Sequence, residues 1–283
     1  MGDHHHHHHD QHGSGSAGLA EILDLDAEVL RSHLSEVTEW IAKAAGRPPR
    51  RILDLGSGTG AGTFALLRRF GDAEAIALDQ SGELLHHLNG KARDLGLDGR
   101  IRTVQADLDA EWPELDPADL VWASASLHHM ADPDRVLAGI HALLRPGGLL
   151  VAAELAGLPR FLPDDLGFGR PGLEERCHEI LDAERAVDVP HMGSDWGPRL
   201  AAAGFAIEAE RVFEIDMRPP LPAAAARYAE AVLRRMRHGL EGRLGADDLA
   251  ALDALLDRER PGSVLRRDDL SVRTERTVWI GRR

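Results

Sequence analysis

Arg51-Ile52-Leu53-Asp54-Leu55-Gly56-Ser57-Gly58-Thr59-Gly60 is the stretch that decides the fold. Apolar residues closing on an acid, then glycines at every second position before a helix-like segment, read as a buried strand that feeds a sharp ligand-binding turn. Glycine tolerates the positive φ of such a turn and lets backbone approach a ligand closely. The acid discriminates between ligands. A pyrophosphate at this turn would meet the Asp54 carboxylate, whereas a cationic sulfonium or ammonium group is attracted to it.

Outward from this stretch, strand and helix signals alternate: strand 51–55, helix 61–70, strand 74–79, helix 83–95, strand 101–106, strand 120–123, helix 134–144 and strand 148–153. The last follows the turn Arg145-Pro146-Gly147-Gly148. Such alternation predicts right-handed βαβ crossovers and a parallel sheet covered on both faces. A helix is expected over 24–45, where Leu30, Leu34, Val37 and Ile41 recur at helical spacing before Gly46, Pro48 and Pro49. Past Glu154 the order changes to a Pro- and Gly-rich stretch, a helix near 173–186, a helix at 196–203, a strand at 205–215 and a last strand at 274–281.

The expected fold is α/β: a Rossmann-like, mostly parallel seven-stranded sheet with an antiparallel C-terminal strand, helices on both faces and helical lid insertions. By domains, residues 1–16 read as an expression tag and Gly/Ser linker and 17–47 as an N-terminal helical cap. Residues 48–283 read as one catalytic-type domain with insertions at about 155–190 and 216–270.

Composition narrows the partners. The formal charge is −14, or −12 without Asp3 and Asp10 of the tag, which opposes contact with a nucleic-acid backbone. A single cysteine, Cys177, excludes a disulfide framework and any multi-cysteine metal site. No apolar run approaches the roughly 20 residues that cross a bilayer, and the segment after the tag is acidic where a signal peptide is basic. The expectation is a cytoplasmic protein without membrane contact; a homodimer is left open. With Lys43 and Lys91 its only lysines and Ala, Gly and Arg abundant, the chain has the composition of a GC-rich bacterial genome.

In an open parallel sheet the ligand lies at the carboxyl ends of the strands, and the polar residues of note fall there. Asp79 ends the second strand, where a carboxylate can accept both hydroxyl protons of a ribose, with Gln80 beside it. Asp107 follows the third strand and can accept from an adenine amino group while Leu108 offers its N–H; the bland role for either acid is a cap or a solvated turn. The fourth strand runs into Ser124-Ala125-Ser126-Leu127-His128-His129.

Taken together, the glycine stretch, Asp79, Asp107, Asp119-Leu120-Val121-Trp122-Ala123 and Leu144-Arg145-Pro146-Gly147-Gly148 closely resemble the class I S-adenosylmethionine-dependent methyltransferases over about 51–154. The resemblance implies that Asp54, Gly56, Ser57, Gly58 and Gly60 contact the methionine portion of S-adenosyl-L-methionine, that Asp79 and Gln80 hold the ribose, and that Asp107 and Leu108 read adenine. Ser124 completes the cofactor set. The rival is a dinucleotide oxidoreductase, since Gly56, Gly58 and Ala61 satisfy G-x-G-x-x-[G/A]; Asp54, Asp107 and the antiparallel ending oppose it. A third reading is a non-methylating protein on the same scaffold.

His128 and His129 lie in the loop that faces the transferable methyl in this family, and either can serve as a general base for an acceptor that must lose a proton. The plainer role is packing against the cofactor. His191 is a weaker candidate, and His33 and Trp40 are candidates to close the cofactor pocket, with one-face core packing the favoured role for Trp40. Asp132 and Asp134 fit helix capping better than a metal, so no metal site is expected. The loop lacks an Asn-Pro-Pro-aromatic motif, and Phe161, Leu162, Phe168, Met192, Tyr228, Val232, Leu233 and Met236 in the insertions suit an apolar cavity for a small organic acceptor, or pack on one another.

Overall fold

A computed structural model describes residues 11–283, with side chains from Gly18 onward. The helices are α1 (Gln11–Val29), α2 (Arg31–Ala45), α3 (Ala61–Arg69), α4 (Gly82–Asp94), α5 (Pro133–Leu143), α6 (Leu173–Asp188), α7 (Gly197–Ala202), α8 (Ala225–Gly239) and α9 (Ala246–Leu256). The strands are β1 (Arg51–Leu55), β2 (Glu74–Asp79), β3 (Ile101–Gln105), β4 (Ala118–Ser124), β5 (Leu144–Leu155), β6 (Ala206–Met217) and β7 (Val272–Arg282). They form one sheet in the order β3-β2-β1-β4-β5-β7-β6, in which β7 alone runs antiparallel to its neighbours.

The central strands are buried on both faces, which is why they read as near-continuous apolar runs. On one face Val37 and Ile41 of α2 and Leu66 and Leu67 of α3 pack on Ile52, Leu120, Trp122 and Val151. On the other, Val136, Leu137 and Ile140 of α5 and Leu200 of α7 pack on Leu53, Val121 and Leu150. Local chemistry sets the helix starts. Ser81 accepts from Leu84 N–H to cap α4, and Asp132 accepts from Arg135 N–H to cap α5, with Pro133 at its first position.

Four expectations change. The single helix at 24–45 is two, broken at Leu30, because α1 and α2 serve different layers: α1 packs on α8 and α2 on the sheet. Residues 11–16, read as linker, lie in the first turns of α1; once Leu25 and Val29 anchor the helix, extending it costs little. The tag itself, 1–10, lies outside the described residues. His33 and Trp40 do not close the glycine turn: both pack on Phe213 of β6, His33 edge-on at 4.8 Å.

The fourth concerns the lid. Phe161, Leu162, Tyr228, Val232, Leu233 and Met236 form one core with α1, α6, α8 and α9, and Phe168 packs against it. They fill the lid and do not line an apolar cavity; each aromatic or aliphatic side chain so buried contributes about 1.5–3 kcal/mol. Asp26 of α1 ties this layer to the sheet by accepting from Tyr228 Oη at 2.6 Å and Arg276 Nη2 at 2.5 Å.

Candidate active site

Strand order reverses between β1 and β4, so the loops after these strands face each other across the sheet's carboxyl edge, where ligands of open α/β sheets bind. Gly56, Gly58 and Gly60 all have positive φ. At Gly56 a Cβ would stand 2.5 Å from Ser126 Cβ, so only glycine lets the two loops meet. The opposing loop carries its own strain: Ala125 has φ 49 while its N–H bonds Ala153 O, and a non-glycine residue in the left-handed region costs roughly 1–2 kcal/mol.

Asp79 is buried. Its Oδ2 accepts from Gly58 N–H and its Oδ1 from Ser81 N–H, both at 2.8 Å, so one carboxylate fixes the glycine turn to the start of α4. Two of its four lone-pair positions remain for a ligand. Asp54 is also buried and accepts from Thr63 Oγ1 at 2.5 Å. Burial lifts its carboxyl to about 7; hydrogen bonds from Thr63 oppose this and the neighbouring Asp79 charge adds to it. Ser57 Oγ and Ser126 Oγ, close to Gly56, are buried without a hydrogen-bond partner among the described residues. Two idle hydroxyls beside two carboxylates fit a ligand end that both donates and accepts, as an ammonium and carboxylate pair does.

Helix α1 covers this turn. A Cβ on Gly58 would meet Leu23 Cδ1 at 3.1 Å, and Asp24 accepts from Lys91 Nζ at 2.7 Å and contacts His87 Nε2 at 2.8 Å on α4. Half-burial works to raise the Asp24 carboxyl, yet Lys91 and His87 hold it below its usual range. Asp107 is exposed and accepts from Asp109 N–H in a tight turn. Leu108 is buried in the core under α5. Gln80 is exposed and its carbonyl accepts from Gln105 Nε2; Ser124 ends β4 opposite Ala153.

The two histidines separate. His128 is buried and its Nδ1 bonds Glu154 Oε2, while Glu154 Oε1 accepts from Ser126 N–H at 3.1 Å and Leu127 N–H at 2.8 Å. A carboxylate held by two backbone donors thus fixes the ring, and with the proton on Nδ1 the lone pair sits on Nε2. His129 packs against His128 with centroids 4.1 Å apart and rings tilted by 47°, and it reaches solvent. Packing around its ring, and then the adjacent His128, push it down to about 4. His191 packs edge-on near Trp196, with ring centroids 6.3 Å apart. Cys177 is buried, and burial with Asp248 and Glu174 pushes its thiol up to about 12, which removes nucleophilic character. No group of three or more metal-binding side chains forms among the described residues.

The sequence did not point to Glu154, Ser126 or Leu23. Glu154 had one signal: an acid ending the apolar run Leu149-Leu150-Val151-Ala152-Ala153. Nor did it give a polar cavity of about 540 Å³ beyond the end of β5, bounded by Ala156, Gly157, α6 and the start of β7. Of the apolar side chains expected to form an acceptor cavity, Met192 lines it, together with Leu158, Ala186, Val189 and Pro190. A second cavity, about 20 Å³ beside Pro49 and Gly147, is at the opposite edge of the sheet and holds no more than water.

Residues 52–148 match the family model described as a methyltransferase domain. The chain is 34% identical over 179 residues to malonyl-[acyl-carrier protein] O-methyltransferase of Laribacter hongkongensis, covering 58% of this chain and 54% of that protein. It is 35% identical over 152 residues to the ubiquinone/menaquinone biosynthesis C-methyltransferase UbiE of Vibrio parahaemolyticus, covering 53% of each. Over 118 residues it is 36% identical to trans-aconitate 2-methyltransferase of an Acidovorax strain, covering 42% and 43%. The chain spans about half the length of these curated relatives. Among solved structures, the YcgJ protein of Bacillus subtilis superposes with TM-score 0.55 at 16% identity, over 89% of this chain and 98% of that one. An O-methyltransferase family protein of Burkholderia thailandensis gives 0.50 at 20% identity over 72% and 57%. At such identities the superpositions establish shared architecture. With the strand order and the glycine turn closed by Asp79, residues 52–148 are a methyltransferase domain, and the chain is similar to the class I S-adenosylmethionine-dependent methyltransferases.

Proposed function

We propose that this protein transfers a methyl group from S-adenosyl-L-methionine to a small organic acceptor. The observation that carries the reading is the acidic glycine turn, with Asp79 buttressing Gly58 and idle hydroxyls at Ser57 and Ser126, placed across from a carboxylate-oriented histidine. Bound there, the cofactor supplies an already electrophilic methyl on a sulfonium. Gly56 to Gly60 with Ser57 would hold its methionine end, Asp79 and Gln80 its ribose, Asp107 and Leu108 its adenine, and Ser124 and Ser126 would bound the site from β4. The final antiparallel β7 opposes the dinucleotide oxidoreductase alternative, whose sheet continues in parallel.

His128 is assigned the general base, taking a proton on Nε2 as the acceptor atom attacks, with Glu154 stabilising the cation that forms. His129, exposed and neutral at physiological pH, bounds the loop. Alignment of donor and acceptor at roughly 3 Å is expected to provide most of the acceleration, since effective molarities correspond to ~7–11 kcal/mol. By their names the three relatives are a malonyl-[acyl-carrier protein] O-methyltransferase, a ubiquinone/menaquinone biosynthesis C-methyltransferase and a trans-aconitate 2-methyltransferase; a small-molecule acceptor is proposed on that ground and on the acidic charge, −12 without the tag's Asp3 and Asp10.

Calorimetric titration with S-adenosylhomocysteine and with NADH tests the reading: tight binding of the first alone is expected, and binding of the second alone would overturn it. Asp54 gives a sharper test. Its folded carboxyl titrates near 7 against 3.8 when unfolded, so the folded state holds the proton more tightly. Its favourable contribution is complete below about pH 4 and is lost as pH rises through about 7. Asp54→Asn is therefore expected to raise the thermal stability of the free protein relative to wild type at pH 8 and not at pH 5. The same substitution removes a charge that favours a cation, and is expected to weaken S-adenosylmethionine binding at pH 8. Equal stability loss at both pH values would reduce Asp54 to a hydrogen-bond partner of Thr63.

A further inference from the structure

The 540 Å³ cavity past the end of β5 falls within the 300–1,000 Å³ range of small-molecule sites. Basic residues are gathered along it in an otherwise acidic chain: Arg160, Arg185, Arg273 and His178 line it, as do Asp182 and Glu275. Each guanidinium has one carboxylate partner, Arg160 with Glu175, Arg185 with Asp182 and Arg273 with Glu174. Those pairs leave donors over. Arg185 Nη2, Arg273 Nε and His178 Nε2 are buried and have no hydrogen-bond partner among the described residues.

His178 is 1% exposed. Burial, then the charges of Arg160 and Arg185, push it down to about 4, so its ring is neutral and its Nε2 can carry the remaining proton as a donor. A buried donor without an acceptor costs about 1–3 kcal/mol, and native proteins rarely leave one so. Three such nitrogens, on side chains that line one cavity, fit a ligand group with several lone pairs in a small volume, and a charge-assisted bond from Arg185 or Arg273 favours an anionic one. A planar carboxylate meets that description.

The cavity also lies where an acceptor has to be. Ala156 and Gly157 line it, two and three residues beyond Glu154, which orients His128. Resting on the methyltransferase reading above, we infer that Arg185, Arg273 and His178 hold a carboxylate of the methyl acceptor, anchored in this cavity with its methylated atom turned back toward His128. The carboxylate is the handle and not the nucleophile, because guanidinium hydrogen bonds withdraw the lone pairs that an attacking oxygen needs. The acceptor is therefore an acid carrying a second, methylatable group several ångströms from its carboxylate.

The test uses the whole protein saturated with S-adenosylhomocysteine, probed by calorimetry with 4-hydroxybenzoate, its neutral amide and inorganic phosphate. Acid binding with no measurable amide binding is expected. Arg185→Met and Arg273→Met are each expected to weaken acid binding at least tenfold, with S-adenosylhomocysteine affinity unchanged and lysine partly restoring it at either position. Equal binding of acid and amide, no acid binding, phosphate binding tighter than the acid, or acid affinity unchanged in the double variant would each overturn the assignment. The acid-against-amide comparison is made on wild type and decides the matter even if a variant fails to fold. Loss of S-adenosylhomocysteine binding by wild type would instead strike the methyltransferase reading, while acid titration of the free protein still reports on the cavity.

Discussion

Asp79→Ala is expected to weaken S-adenosylhomocysteine binding by at least tenfold and to lower the stability of the free protein at the same time. The carboxylate is buried and accepts from Gly58 N–H and Ser81 N–H at 2.8 Å each. Truncation leaves both donors without a partner, at about 1–3 kcal/mol apiece, and frees a turn whose positive-φ glycines have no other tie to β2's carboxyl end than the bonds of Gly56 and Ser57 N–H to Leu78 O. Ligand affinity then suffers twice, through the lost ribose acceptor and through the cost of reordering the turn. Asp79→Asn separates the two, because the amide keeps one acceptor oxygen and turns an NH₂ toward the other N–H. It is expected to bind ligand less well than wild type and better than alanine. Calorimetry and thermal denaturation measure the pair of effects; unchanged affinity with reduced stability would make Asp79 a brace for the turn and nothing more.

The sheet was legible because its residues see only local rules. β1 at 51–55 and β2 at 74–79 occur where apolar runs end at an acid, and α4 and α5 begin at Ser81 and Asp132, whose side chains cap them. The break at Leu30 was not legible, since it depends on α1 leaving the sheet for α8, a contact with residues some 200 positions away such as Tyr228. The lid failed for a related reason. Helical apolar spacing over 221–240 shows that one face is apolar and does not say whether that face meets a ligand or another helix; Tyr228, Val232 and Met236 meet helices.

The cofactor edge of the site was legible and the acceptor edge was not. Glycines and acids at strand ends carry their chemistry in their spacing, so Asp54, Asp79 and the turn could be placed from sequence alone. Glu154 and His128 are 26 residues apart and meet only because β4 and β5 are adjacent in register, Ser124 beside Ala153. Arg185 and Arg273 share a cavity wall through the pairing of β5 with β7 and the placement of α6. Charged residues of an insertion look like solvated surface until the fold shows their donors buried.

Glu154 and His128 are expected to behave as one catalytic unit. With Glu154 Oε2 on Nδ1 and Oε1 on two backbone donors, the ring has a single tautomer and orientation for accepting a proton on Nε2, and removing the carboxylate removes both. General-base contributions run to 10²–10⁴-fold. Glu154→Gln and His128→Ala are each expected to lower kcat by about 100-fold or more, leaving the KM for S-adenosylmethionine within threefold, as roughly expected for an interaction made only in the transition state. The double variant is expected to be no slower than the worse single variant, since residues that act together are strongly non-additive. His129→Ala is the control: His129 is exposed and packs at a tilt against His128, so this variant should lose far less. S-adenosylhomocysteine release with an accepted acid substrate measures all four. Losses that multiply in the double variant, or that fall on cofactor KM, would assign the pair to holding the β4 loop in place against Gly56 and would leave the proton transfer to solvent or to the acceptor's own acidity.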